Sequence, residues 1–106
     1  MVKMVFLVHR RSDMDVAEFR RYWAETHAPI AAQMPGLRKY VQHHAVAGPD
    51  GADPEFDGFA ELWWDDAEAM EESLASPQGE AAQADAANFL DTESMHVFEV
   101  EQSAIV

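Results

Sequence analysis

The chain has 106 residues, no cysteine and a formal net charge of −13, from 20 acidic and 7 basic residues. This length suits a single domain over residues 1–106, and the lack of cysteine excludes disulfides, thiolate metal sites and a cysteine nucleophile. Phosphate backbones repel such an acidic chain, and no segment approaches the roughly 20 apolar residues of a membrane span, so we expect neither a nucleic-acid nor a membrane partner.

The first element is the apolar run at residues 2–9 (VKMVFLVH). Apolar residues occupy both the odd and the even positions of this run, which predicts a strand buried on both faces. The run lacks the architecture of a signal peptide, so the expected location of the protein is the cytoplasm.

A helix is predicted next, beginning at Asp15. Asp15 and Glu18 have the spacing of a capping box, in which each side chain bonds to the other residue's backbone N–H. One helical stripe then carries residues at three- and four-residue spacing: Val16, Phe19, Trp23, His27, Ile30 and Met34. Pro29 has no N–H for the Glu25 carbonyl, which predicts a kink, or a break followed by a second short helix.

The remaining pattern predicts strands at 37–46, 56–64 and 95–106, and helices at 65–75 and 76–90. Ser76 and Pro77 suit the N-cap and first turn of the second of these helices. The resulting order is βαββαβ. It indicates an α+β, ferredoxin-like fold with a four-stranded antiparallel sheet and both helical segments on one face.

The sheet face opposite the helices is predicted to be partly apolar. Strand alternation assigns Phe59, Trp63 and Val97 to that face, together with Tyr40. An exposed apolar face indicates a partner surface, and a second copy of the chain is the simplest partner. We therefore expect a homodimer formed face to face through the sheets.

His27 and Asp85 are the candidate catalytic residues. His27 lies on the apolar stripe beside Pro29, and its ordinary pKa suits a general acid or base. The alternative is a buried histidine without a catalytic role, bonded to a backbone carbonyl. Asp85 shares a helix face with Ala82 and Phe89, so it needs a donor such as a histidine, a tyrosine or an arginine; the alternative is a half-exposed edge position. An Asp–His pair would orient the imidazole for proton transfer.

A small hydrophobic or aromatic ligand would suit the surrounding aromatic residues. The candidate binding residues are Tyr22, Trp23, Tyr40, His44, Trp63 and Phe89. His43 and His44 alternate along a strand, so at most one of them can face the pocket. Histidine spacing does not support a metal site, and no nucleotide-binding motif is present, so we expect no cofactor. A haem site, which needs one histidine, stays an alternative.

Several segments together resemble the EthD family. They are FRRYW (19–23), HAP (27–29), PGLRKYVQ (35–42), DGFAELW (57–63), Asp85 with Phe89, and residues 97–100. The resemblance covers nearly the whole chain. It implies a dimeric α+β barrel with a pocket between sheet and helices, and it maps the family's motif histidine and aspartate to His27 and Asp85.

The resemblance implies a role in the metabolism of small molecules, with the oxidoreductase label that the family often carries. The first interpretation is a cofactor-independent enzyme that uses His27 for proton transfer, in an isomerisation, dehydration or decarboxylation, or for a monooxygenase-like oxygenation. The second is a non-catalytic carrier or accessory protein of an oxidase system. The third is a haem-binding relative.

Overall fold

The strands and helices follow the βαββαβ order. In the computed structural model, which describes residues 1–106, the strands are β1 (Val2–Val8), β2 (Lys39–His44), β3 (Gly58–Trp64) and β4 (His96–Val100). The helices are α1 (Val16–Arg21), α2 (Ala28–Ala31), α3 (Ala67–Ala75) and α4 (Pro77–Ala86), and a π-helical turn (Tyr22–His27) joins α1 to α2. Predicted β4 was too long, and α4 ends at Ala86 rather than at residue 90.

The four strands form one antiparallel sheet in the order β2-β3-β1-β4. In the register of this sheet, Phe6 of β1 lies opposite Ala60 of β3 on one side and Val97 of β4 on the other. This order and pairing confirm the predicted ferredoxin-like sheet.

The helices cover one face of the sheet and bury the core between the two layers. Four aromatic side chains at the centre of the core are at most 2% exposed: Phe19, Trp23, Trp64 and Phe89. Burying side chains of this size supplies much of the hydrophobic stabilisation of a small domain.

Two residues predicted for the open face lie instead on the helix-covered face. Tyr40 pairs with Leu62, and Val97 pairs with Phe6; both partners belong to the helix-covered face. The sequence prediction was wrong here because alternation fixes the relative orientation of neighbours within a strand, whereas only pairing fixes which set faces the helices. The same pairing leaves Phe59 and Trp63 on the open face, as predicted.

At the N-terminus of α1 only the Asp15 half of the predicted capping box is formed, because the Glu18 side chain makes no return bond to the Asp15 N–H. Of the kink or break predicted at Pro29, the break does not occur. The Asp15 carboxylate accepts from the Glu18 N–H at 2.8 Å. No break occurs at Pro29, because the preceding turn widens and the Ala28 N–H bonds to the Trp23 carbonyl five residues back. A π-turn of this kind accommodates the missing donor and the bulk of the proline ring without ending the helix, and α2 follows directly.

Helix α4 also begins at the predicted cap. The Ser76 hydroxyl accepts from the Gly79 N–H at 3.0 Å, and Pro77 occupies the first turn of α4. This cap fixes where α4 begins and therefore which of its residues face α2 and the π-turn. None of the helices combines the length and apolarity needed to cross a membrane.

Candidate functional site

A cavity of about 420 Å³ lies between the helices and the sheet. Its 19 lining residues are largely apolar and come from all four strands, the π-turn, α2, α3, α4 and the segments that follow α2 and α4. A cavity of this size and character suits a small, predominantly apolar molecule.

The cavity has an open end at β4 and a less exposed end at β2, which we call the inner end. Gln83, Thr92 and Val97 are exposed and form the open end, between α4 and the edge strand β4. Tyr40 lies on the opposite edge strand, β2. Three strand spacings of about 4.8 Å separate the two edges, so the cavity extends roughly 14 Å across the sheet.

His27 and Asp85 meet at the wall of this cavity. His27 is the last residue of the π-turn, and Asp85 lies in the final turn of α4. The distance between His27 Nδ1 and Asp85 Oδ2 is 2.8 Å, and the two side chains are only 13% and 9% exposed. The ring of Phe89 packs against the imidazole at 4.7 Å between centroids. The dyad is thus shielded from water and held between two helices.

The Asp85 carboxylate accepts two further hydrogen bonds. Tyr22 Oη donates to Asp85 Oδ1 at 2.6 Å, and Asn88 Nδ2 donates to the same oxygen at 3.0 Å. Burial by itself would raise the pKa of Asp85, but the hydrogen bonds from Tyr22, Asn88 and His27 outweigh burial and lower the pKa below its ordinary value. Asp85 is therefore ionised at neutral pH.

The ionised carboxylate determines the tautomer of His27. A carboxylate only accepts hydrogen bonds, so Nδ1 of His27 must carry a proton. In the neutral imidazole this leaves Nε2 without a proton, and Nε2 has no hydrogen-bond partner in the chain. Because His27 lines the cavity, the arrangement presents a basic nitrogen to a bound molecule and places a negative charge behind the ring.

The other predicted binding residues divide into three groups. Trp23, Tyr40 and Phe89 line the cavity. Tyr22 does not line it but reaches the dyad through its bond to Asp85. His44 and Trp63 lie outside the cavity.

His44 lies on the helix-covered face but behind Trp23, with its ring edge-on to the indole at 4.9 Å between centroids. Its Nδ1 is buried without a partner; burial lowers the pKa of His44, and the positive charges of Arg20 and His43 lower it further. His43 lies on the opposite face, bonded to Glu61, so the predicted divergence of the two histidines is confirmed. Trp23 separates His44 from the cavity. The prediction of His44 as a binding residue is therefore corrected.

Trp63 lies on the open face of the sheet, where Lys3 Nζ and Lys39 Nζ lie 5.0 and 4.9 Å from its ring centroid. The thickness of the sheet separates it from the cavity, because its neighbour Trp64 takes the helix-covered side. The prediction of Trp63 as a ligand-binding residue is therefore also corrected. Nowhere in the structure do three His, Asp or Glu side chains converge in a way that could hold a metal ion.

Sequence reasoning missed two polar residues of the site, Asn88 and Gln42. Asn88 follows Asp85 by three residues, a spacing that brings side chains together on a helix and could have identified it. Gln42 follows Tyr40 by two residues on the same strand face, and its amide donates to Tyr40 Oη at 2.7 Å.

The chain matches the model of the EthD domain over residues 11–93. It is 26% identical to an uncharacterized 11.0 kDa protein of the thcB–thcC intergenic region of Rhodococcus erythropolis, across 86% of this chain and 87% of that protein. The matched residues include α1, the π-turn and α4, which hold His27 and Asp85.

Three solved structures are similar in fold. An EthD family protein from Bacillus halodurans has a TM-score of 0.82 and 27% identity, with 97% of this chain and 99% of that chain covered. A dimeric ferredoxin-like protein from Bacteroides fragilis has a TM-score of 0.70 and 16% identity, with 95% of each chain covered. SnoaB, a cofactor-independent oxygenase from Streptomyces nogalater, has a TM-score of 0.62 and 20% identity, with 99% and 95% covered. The family match over residues 11–93 and the ferredoxin-like sheet establish that this chain belongs to the EthD family.

Proposed function

We propose that the protein binds a small apolar or aromatic metabolite in the cavity and catalyses a cofactor-independent reaction that begins with proton transfer to His27. The observation that carries this proposal is the Asp85–His27 hydrogen bond at the wall of an otherwise apolar cavity. An imidazole oriented by a buried carboxylate is a recurring arrangement for general-base catalysis.

The chemistry follows from the charges of the dyad. His27 Nε2 takes a proton from an acidic C–H or O–H of the substrate, and Asp85 stabilises the imidazolium that forms. The substrate keeps the electron pair as an enolate or phenolate. His27 can return the proton at another carbon, which gives isomerisation, or to a departing hydroxide, which gives dehydration. Alternatively, the electron-rich anion reacts with O₂ as a co-substrate, which is oxygenation.

The dyad favours an enzyme over a carrier. A carrier needs the apolar lining but no ionised carboxylate fixed behind a histidine, and burying that carboxylate costs free energy that three hydrogen bonds must offset. The fold likeness to a cofactor-independent oxygenase is consistent with this preference.

We also propose that the protein is a homodimer formed through the open faces of its sheets. This face carries apolar side chains from all four strands: Val5, Leu7, Val41, Phe59, Trp63 and Phe98. Phe98 alone is 46% exposed. The apolar side chains surround a Lys3–Glu61 ion pair, and a mixed surface with this much exposed apolar area is typical of an interface between protein chains. A ferredoxin-like protein of similar fold is dimeric.

Proton transfer can be tested before the natural substrate is identified. Aromatic ketones with an acidic α-C–H are incubated with the protein in D₂O, and deuterium incorporation is followed by NMR. The wild type is expected to accelerate exchange, and His27→Ala to lose most of that acceleration, on the order of 10²-fold. A His27→Ala protein that binds the ketone and exchanges at the wild-type rate would remove His27 from the mechanism.

A further inference from the structure

Tyr40 and Gln42 form a polar pair on the helix-covered face of β2. Gln42 Nε2 lies 2.9 Å from the Trp23 carbonyl oxygen and 2.7 Å from Tyr40 Oη. The carbonyl can only accept, so the amide nitrogen of Gln42 must point toward it. The second amide hydrogen is therefore donated to Tyr40 Oη, which acts as the acceptor in this bond.

This arrangement leaves the hydroxyl proton of Tyr40 without a partner in the chain. Tyr40 Oη receives the bond from Gln42 and makes no other hydrogen bond as a donor. Burial raises the pKa of Tyr40, so the phenol stays neutral and keeps its proton at physiological pH. Tyr40 also lines the cavity, so the proton is available to a molecule bound there.

We propose that Tyr40, held by Gln42, is an oxygen-binding subsite at the inner end of the cavity and donates a hydrogen bond to a carbonyl or phenolic oxygen of the ligand. This inference rests on the proposed function, because it requires a small molecule in the cavity. The subsite would orient the bound ligand. The ligand oxygen would lie against β2, and the apolar remainder of the ligand would extend toward β4.

The other polar groups of the cavity do not compete for this role. Gln83 donates both amide hydrogens to backbone carbonyls, those of Leu74 and Gly79, so only its acceptor oxygen is left. Thr92 is exposed at the open end, where water competes for its hydroxyl. Tyr40 is less exposed than Thr92, so water competes less for its hydroxyl and a hydrogen bond from it discriminates more strongly between ligands.

The subsite also suits the reaction proposed above. When His27 removes a proton next to a carbonyl, negative charge develops on the carbonyl oxygen, and a fixed donor stabilises that charge. The substrate class is thus an elongated, largely apolar ketone or phenol with one oxygen at the end that lies against β2.

An isosteric pair of probes tests the subsite by itself. Acetophenone and α-methylstyrene have the same shape, but the first has a carbonyl oxygen where the second has a CH₂ group. Binding of each is measured by ¹H–¹⁵N NMR titration of the wild type, Tyr40→Phe and Thr92→Val. The wild type is expected to bind acetophenone about fivefold more tightly, the ratio of one net hydrogen bond. Tyr40→Phe should abolish this ratio, and Thr92→Val should preserve it.

The outcomes separate this inference from the proposed function. Binding of α-methylstyrene depends only on the apolar cavity, and its retention in Tyr40→Phe shows that the variant is folded. If α-methylstyrene binds but the ratio is absent in the wild type or persists in Tyr40→Phe, the subsite is refuted while the cavity stands. Loss of the affinity ratio in Thr92→Val would indicate that the ligand oxygen binds at the open end of the cavity. That result would also refute the subsite. If neither probe binds, both proposals fail.

Discussion

The imidazole of His27 and the carboxylate of Asp85 share a hydrogen bond of 2.8 Å although 58 residues separate them in the chain. The bond joins the end of the π-turn to the last turn of α4. Because the carboxylate also accepts from Tyr22 and Asn88, its position is fixed independently of His27. The carboxylate therefore acts as a rigid support for the ring that faces the cavity.

Replacing Asp85 by Asn is expected to change the tautomer of His27. Tyr22 and Asn88 hold one oxygen of residue 85, so the new amide nitrogen faces His27 Nδ1, which must then accept rather than donate. Long-range ¹H–¹⁵N correlation should show a protonated Nδ1 in the wild type and a protonated Nε2 in Asp85→Asn. Asp91→Asn, which removes an exposed acid nearby, serves as the control and should keep the wild-type pattern. A protonated Nδ1 in Asp85→Asn would contradict the orientation described for the dyad.

Stability should fall at low pH through Asp85. Its pKa in the folded protein is lowered, so its contribution to the free energy of unfolding is fully present above the unfolded value of about 3.9 and is lost as the pH falls through the folded value. Urea unfolding of the wild type and Asp85→Asn should differ by a constant amount near about pH 5, and the difference should shrink as the pH falls below the unfolded value of about 3.9. A difference that grew on acidification below about pH 5 would mean that the pKa of Asp85 is raised rather than lowered.

Dimer formation should depend on Phe98 and not on its neighbour Val97. The two residues are 46% and 40% exposed, but Phe98 lies on the open face and Val97 at the mouth of the cavity. Light scattering is expected to give twice the chain mass of 11.9 kDa for the wild type and Val97→Asp, and the single mass for Phe98→Asp. A wild type of single mass at micromolar concentration would refute the proposed dimer, and a dimeric Phe98→Asp would place its interface elsewhere.

Adding a single methyl group at Gly58 should destabilise the protein. A Cβ at this position would lie 2.2 Å from the His43 carbonyl oxygen and 2.9 Å from the Trp23 ring, so β2 or the indole must move. We expect Gly58→Ala to lower the free energy of unfolding by about 1–3 kcal/mol, the usual cost of overpacking. Urea unfolding measures the loss. Gly48→Ala is the control, because its Cβ would approach only the exposed Asp50 carboxylate, at 3.2 Å, and no backbone atom or ring; it should change stability little.

The sequence by itself determined the order of the elements and the identity of the dyad. Local rules placed the caps at Asp15 and Ser76, because a capping side chain bonds within three residues of itself. The same rules selected His27 and Asp85, each a titratable side chain on an otherwise apolar helix face. Local patterning, together with the resemblance, was enough for the fold class.

Only the tertiary structure decided which side chains share the cavity. Strand pairing places Tyr40 and Val97 on the helix-covered face and Trp63 on the other. At Pro29, where the sequence predicted a kink or a break, a π-turn precedes the proline and the helix does not break. The bonds from Gln42 to Tyr40 and from Tyr22 to Asp85 likewise required the packed layers. The physical reason is that alternation and helical spacing describe one element at a time, whereas the phase of a strand and the contacts of a side chain are set by the elements packed against it.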